Sequence, residues 1–138
     1  MAVEIRRLGP GDENVVRALA TREPQTALLA DDRTVFLAAF DGTRPVGFVF
    51  GYVLPRRHGE PSSLFVYEVD VAETHRRQGI ATRLLREFGA FARGRGIRTG
   101  FVLTNAANEA AMGLYASVGG VRPADDDVLW DFEWSAVR

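Results

Sequence analysis

The sequence contains no cysteine, which excludes a disulfide framework, a thiolate metal site and a cysteine nucleophile. It has no surplus of charge either. Its 17 Lys and Arg stand against 18 Asp and Glu, for a net charge of -1, so the basic excess that serves non-specific binding to nucleic acid or an anionic membrane is missing. No apolar run reaches membrane-spanning length, and the first twelve residues are too polar for a signal peptide. The expectation is a cytoplasmic protein that engages neither nucleic acid nor membrane. Only two histidines occur, His58 and His75; both sit in polar loops with no second ligand at metal-binding spacing, so surface histidines and no metal site are expected. What remains is an ordinary globular composition, 46% hydrophobic and 25% charged over 138 residues. A chain of that length buries roughly two-thirds of its unfolded surface as one compact domain, with no room for a second.

Periodicity then sorts the chain into elements. Residues 3–8 read as an opening strand closed by Gly9, Pro10 and Gly11, after which Asp12 stands where it would cap a helix carrying Val15, Val16 and Leu19 on one face. A short helix is expected at 25–30. Two apolar runs rich in β-branched and aromatic residues, 34–40 and 46–54, flank Asp41-Gly42-Thr43-Arg44-Pro45 and predict a hairpin. A polar loop over 55–61 leads to a strand at 64–71. From Gly79 the period changes: Ile80, Leu84, Leu85, Phe88, Phe91 and Ala92 recur at helical spacing until Gly94 and Gly96. A strand at 100–103, a helix at 108–117 and a last strand at 128–134 complete the reading. An antiparallel front half feeding a strand, helix, strand unit with parallel neighbours predicts an α+β fold, a mixed and mostly antiparallel sheet flanked by helices.

The stretch with chemical content is Arg76-Arg77-Gln78-Gly79-Ile80-Ala81, between a strand and a helix. A turn there aims unpaired backbone N–H groups in one direction at the positive end of the helix dipole, which suits a phosphate group. Gly79 lets the backbone approach an anion, small Ala81 keeps the helix start open, and the arginines add charge at the rim. The stretch is neither a Walker loop nor a dinucleotide fingerprint, and on physics alone a tight turn beside a solvated arginine pair fits it too.

Arg76-x-x-Gly79-x-Ala81 resembles the acetyl-CoA pyrophosphate loop of the GCN5-related N-acetyltransferases (GNAT), and Asn108-x-x-Ala111-x-x-Leu114-Tyr115 before Gly119-Gly120 resembles their second cofactor motif. Residues 36–41, 52–55, Tyr67-Glu68 and 75–82 look like the aminoglycoside 3-N-acetyltransferase branch, a likeness that runs from about Thr34 to the C-terminus. The resemblance implies a GNAT fold with splayed central parallel strands and acetyl-CoA as cosubstrate, without a metal. Carried onto this chain, it implies that backbone groups of Val69 and Val71 hold the pantetheine arm and thioester. A backbone N–H near Asp70 would meet the thioester oxygen, and Arg76, Arg77, Gln78, Gly79, Ile80, Ala81, Thr82 and Asn108 would grip the cofactor. Tyr115 would protonate the leaving sulfur.

Glu68 is the candidate base. An alkyl ammonium of pKa near 10 holds its proton far more tightly than a carboxylate of pKa near 4, so the transfer needs a depressed amine or a relaying water. Neighbouring positive charges on a polyamine acceptor supply that depression. Asp70 is the second candidate, since strand alternation puts 68 and 70 on one face unless a bulge intervenes. Asp125, Asp126 and Asp127 would attract a polycation through their field, or form a solvated turn. Asp31 is a candidate acceptor contact, although Asp31-Asp32 also suits a turn cap. Trp130, Phe132 and Trp134 are expected in the core and in the interface of a homodimer. The function so implied is acetylation of a small cationic amine, an aminoglycoside at the 3-amino group of its 2-deoxystreptamine ring, with antibiotic resistance as the consequence. The alternatives are a protein N-terminal, lysine or polyamine acetyltransferase and a non-catalytic acetyl-CoA sensor.

Overall fold

The computed structural model describes residues 2–58 and 62–138, so the end of the expected loop at 59–61 lies outside the described residues. Strands β1 (Val3–Arg7), β2 (Thr34–Asp41), β3 (Arg44–Leu54), β4 (Ser63–Val71) and β5 (Thr99–Val102) form a sheet in the order β1-β2-β3-β4-β5. The first three pairings are antiparallel and the last, β4 with β5, is parallel. Helices α1 (Glu13–Leu19), α2 (Ile80–Gly94) and α3 (Glu109–Ser117) follow β1, β4 and β5, and short 3₁₀ turns occupy Thr26–Ala30, Glu73–His75 and Trp134–Ala136. This is the α+β architecture that the sequence pattern calls for.

The sheet is apolar on both faces because β2 is: all of Val35 to Phe40 is buried. One face carries Val35, Leu37, Ala39, Val49 and Leu64 under Ile80, Leu84 and Phe88 of α2. These three sit four residues apart and so share one stripe of the helix. The other face carries Phe36, Ala38, Phe40 and Phe50 under Val16 of α1 and Leu29. At the far end α2 stops in the way its glycines predict. Gly96 takes φ 72°, its N–H donates to the Arg93 carbonyl, and Ile97 N–H donates to the Ala92 carbonyl, a Schellman closure.

Three expectations are corrected. Asp12 holds the N-cap position of α1, but its carboxylate does not cap; it accepts from Gly9 N–H at 2.9 Å and pairs with Arg6 at 3.0 Å, tying the β1 turn together instead. No strand forms over 128–134. Its alternating apolar residues suit a strand, but a strand needs a neighbour to take its backbone hydrogen bonds, and this segment has no ladder. Accordingly Trp130, Phe132 and Trp134 are not core: they are 75%, 59% and 76% exposed, with the Phe132 and Trp134 rings stacked on one another at 5.0 Å.

Candidate active site

The site is built around a defect in β4. Phe50 stands opposite Glu68 and Gly51 opposite Val66, so Tyr67 is an extra residue, a β-bulge. Before it, Leu64 and Val66 face α2; after it, Val69 and Val71 do. An unbroken strand would turn Glu68 toward α2, whereas the bulge moves Glu68 and Asp70 to the opposite, exposed side. Gly51 makes the bulge possible, because a Cβ there would lie 1.7 Å from the Phe65 carbonyl oxygen.

The parallel pairing of β4 with β5 runs from Ser63 opposite Thr99 to Val66 opposite Val102 and ends at that same bulge. β4 continues to Val71 without β5, leaving a wedge along one edge. Ala72 N–H donates to Val46 of β3 at 2.7 Å, so by alternation the N–H groups of Val71 and Val69 point into the wedge and that of Asp70 points toward β3. The Val71 N–H meets the Asp70 carboxylate at 2.9 Å. Asp70 is also 3.6 Å from the Arg76 guanidinium, whose Nε donates to the Val71 carbonyl at 3.0 Å. Asp70 and Arg76 thus bind each other and the strand end. Glu68 forms no ion pair among the described residues.

Beyond β4 the chain enters α2 through a left-handed pair. Arg77 has φ 62° and Gly79, the N-cap of α2, has φ 78°. A non-glycine residue in that region is uncommon. No side chain caps α2, so the first-turn N–H groups of Ile80, Ala81 and Thr82 are free for an anion at the positive helix end. A Cβ on Gly79 would meet nothing within 4 Å; the space over the turn is open. His75, expected at the surface, is instead largely enclosed. Its side chain is 11% exposed, with Nε2 2.9 Å from Asp41 and Nδ1 2.8 Å from the Thr74 hydroxyl, locking the turn to the β2–β3 hairpin.

Tyr115 lies on α3, the helix that follows β5. Asn108, at the N-cap, accepts the Ala111 N–H at 3.1 Å through its side chain, fixing where α3 begins. Burial pushes the Tyr115 phenol above its ordinary pKa, so the hydroxyl keeps its proton through neutral pH.

Alongside Glu68 lies an aromatic wall that the sequence reading did not single out as a site. Phe48, Phe50 and Tyr52 share one face of β3, and Tyr67 packs edge-on to Phe50 at 5.5 Å and to Tyr52 at 5.8 Å. The signal was available in the alternation of aromatics at 48, 50, 52 and 65, 67. The Tyr52 phenol is pushed up by burial first, then by the charges of Tyr67, Asp31 and Glu68, so both carboxylates lie in its surroundings. Tyr52 also lines a cleft of about 270 Å³ with Asp31 and Arg33. Asp31 is held there as a turn residue, accepting Arg33 N–H at 2.9 Å, and that bond together with the Arg33 charge lowers its pKa. Asp125, Asp126 and Asp127 lie on the exposed segment after α3, where 125 and 126 form a turn, and their carboxylates join no hydrogen bond or ion pair among the described residues. No group of three His, Asp or Glu suited to a metal occurs among the described residues, and no helix is long and apolar enough to cross a membrane.

Residues 6–119 match the Acetyltransferase (GNAT) family. The chain is 50% identical over 50 residues, 36% of its length and 27% of the relative's, to an L-2,4-diaminobutyric acid acetyltransferase of Methylotuvimicrobium alcaliphilum. It is 32% identical over 91 residues to the Nocardia farcinica protein of the same name, covering 66% of this chain and 45% of that one. The match thus spans less than half the length of either curated relative. Among solved structures, an aminoglycoside acetyltransferase from an uncultured soil metagenomic sample is similar at a TM-score of 0.82 and 26% identity, covering 96% of this chain and 99% of that one.

Proposed function

The chain belongs to the Acetyltransferase (GNAT) family, and from that premise we propose that it transfers acetyl from acetyl-CoA to an amine of a small polycation, with an aminoglycoside bearing a free 3-amino group on 2-deoxystreptamine as the acceptor. The observation that carries the reading is the bulge at Tyr67, where one irregularity opens the wedge between β4 and β5 and turns Glu68 onto the aromatic wall. Acetyl-CoA, when bound, supplies an activated thioester. The residues fit it: free N–H groups at Ile80, Ala81 and Thr82 face the open space over Gly79, and the Val69 N–H points into the wedge.

On the acceptor side, Glu68 takes the amine proton directly or through water. Tyr52 and Tyr67 present ring faces and edges beside it, and Asp31 adds negative charge in the neighbouring cleft. Aromatic faces hold an ammonium by about 0.5–1 kcal/mol at exposed sites, and more when it is desolvated. Two carboxylates near one wall suit an acceptor with several ammonium groups, whose mutual repulsion lowers the pKa of each. Tyr115 supplies the proton that the leaving sulfur needs. Asp70, bound to Arg76 and the Val71 N–H, is a positioning residue for the wedge. A short diamine carrying a carboxylate, such as L-2,4-diaminobutyrate, is the second reading, favoured by the curated relatives.

Gly79→Asp sets a carboxylate where the anion would lie and a side chain at φ 78°. Affinity for acetyl-CoA, followed by calorimetry, is expected to fall about tenfold or more, because a charge at a helix N-terminus counts for up to about 2 kcal/mol. Unchanged affinity would move the phosphate site elsewhere. Mass spectrometry and NMR of the product decide the acceptor. A single acetyl on the 3-amino nitrogen is expected; acetylation at another ring position corrects the regiochemistry, and turnover of diaminobutyrate with none of any aminoglycoside selects the second reading.

A further inference from the structure

The Gly79 turn depends on how its two ends are held. No side chain caps α2, and Arg77, Gln78 and Gly79 are all exposed, with Arg77 and Gly79 at φ 62° and 78°. The left-handed conformation crowds the Cβ of a non-glycine residue against backbone oxygen, so in a slack segment Arg77 would leave it. Downstream the chain is fixed by Ile80, which is buried with Leu84 against the sheet. Upstream, the Ala72 N–H donates to the Val46 carbonyl at 2.7 Å, and the short 3₁₀ turn Glu73–His75 follows. The last side chain before the loop, that of His75, reaches out of the segment altogether: its Nε2 lies 2.9 Å from Asp41 at the end of β2, 34 positions earlier.

Asp41 is a firm anchor, since it pairs with Val3 of β1 on one side and Arg44 of β3 on the other. The His75 ring is 11% exposed, which keeps most competing water away from the bond. A carboxylate only accepts, so Nε2 donates to Asp41. Nδ1, 2.8 Å from the Thr74 hydroxyl, accepts from it when the ring is neutral and donates to it when the ring is charged. Both ring nitrogens are thus satisfied in either protonation state. We propose that Asp41 and His75 are positioning residues for the cofactor, a tie that holds the upstream end of the turn so that the Ile80, Ala81 and Thr82 N–H groups face the pyrophosphate before it arrives. The inference rests on the acetyl-CoA reading of that turn and adds to it two residues outside the loop and the helix, acting through the backbone of Arg76 to Gly79. Without the tie the binding-ready turn is one conformation among several, and apparent affinity falls by the fraction of time it is populated.

Calorimetry with acetyl-CoA and steady-state kinetics on the whole protein test the tie in four variants. His75→Ala and Asp41→Ala should each weaken acetyl-CoA binding about tenfold, as when the ready conformation drops to about a tenth of the population, and each should raise KM for acetyl-CoA more than it lowers kcat. The double variant should bind no more weakly than either single one, because the two side chains act as one bond. His75→Gln places an amide N–H where Nε2 stands and should recover most of the affinity. A pair that served stability alone would lower Tm and leave the affinity of the folded protein unchanged. Wild-type affinity in both alanine variants overturns the proposal, as do losses that add in the double variant or a His75→Gln protein as weak as His75→Ala. A wild type that does not bind acetyl-CoA refutes the reading of the turn itself, whereas wild-type binding with unaffected variants refutes the tie alone.

Discussion

Glu68→Gln is expected to lower kcat by about 10²-fold to 10⁴-fold, the range that loss of a positioned base produces, with little change in acetyl-CoA affinity. The substitution keeps the side-chain size on an exposed stretch of β4, so folding is unaffected and the loss is chemical. Asp70 is not expected to take over the role, because its carboxylate accepts the Val71 N–H and faces Arg76. Asp70→Asn should act instead through the geometry of the wedge, raising KM for acetyl-CoA more than it lowers kcat. Steady-state kinetics of both variants check the division. A Glu68→Gln enzyme with wild-type kcat, under conditions where chemistry limits the rate, removes Glu68 from proton transfer.

Tyr115→Phe is the second large effect. It keeps the ring that packs in α3 and removes the proton donor, so kcat should fall by about 10²-fold to 10⁴-fold while the Tm is nearly unchanged. The pH profile gives a sharper readout. A donor must be protonated to act, and burial holds the Tyr115 proton beyond the ordinary phenol value. The wild-type rate should therefore fall on an alkaline limb whose midpoint lies above the reference phenol pKa of about 10. In Tyr115→Phe that alkaline limb should disappear. A variant that keeps both the wild-type rate and the alkaline limb would show that another group protonates the sulfur.

Much of this site can be read from residue order, and the part that cannot has identifiable causes. The turn at Gly79 and the helix after it follow from local rules, a glycine at positive φ and apolar residues at helical spacing, and both lie where the pattern puts them. The bulge at Tyr67 is not local: it depends on Gly51, sixteen positions earlier, admitting the Phe65 carbonyl. Strand alternation read on β4 alone pairs residues 68 and 70 correctly but does not say toward which face they turn. His75 looks like a surface residue because its partner, Asp41, stands 34 positions away in the hairpin turn. The segment at 128–134 shows the opposite limit. Its alternation of Val128, Trp130, Phe132 and Trp134 is the pattern of a strand, yet pattern supplies no neighbour, and without a ladder the side chains stay exposed. Asn108 is legible as a helix cap from its type alone, and that is where its side-chain oxygen goes.

We propose that this chain moves acetyl from acetyl-CoA to an amine by means of Glu68 and Tyr115. A thiol-release assay with acetyl-CoA and a panel of aminoglycosides, short diamines and peptides tests it most directly, run on the wild type beside the Glu68→Gln, Tyr115→Phe double variant. Amine-dependent release of CoA by the wild type is expected, greatest with a polycationic amine, with release near the uncatalysed rate in the double variant. Acetyl-CoA binding without amine-dependent release against any member of the panel, or equal release by the double variant, would contradict it.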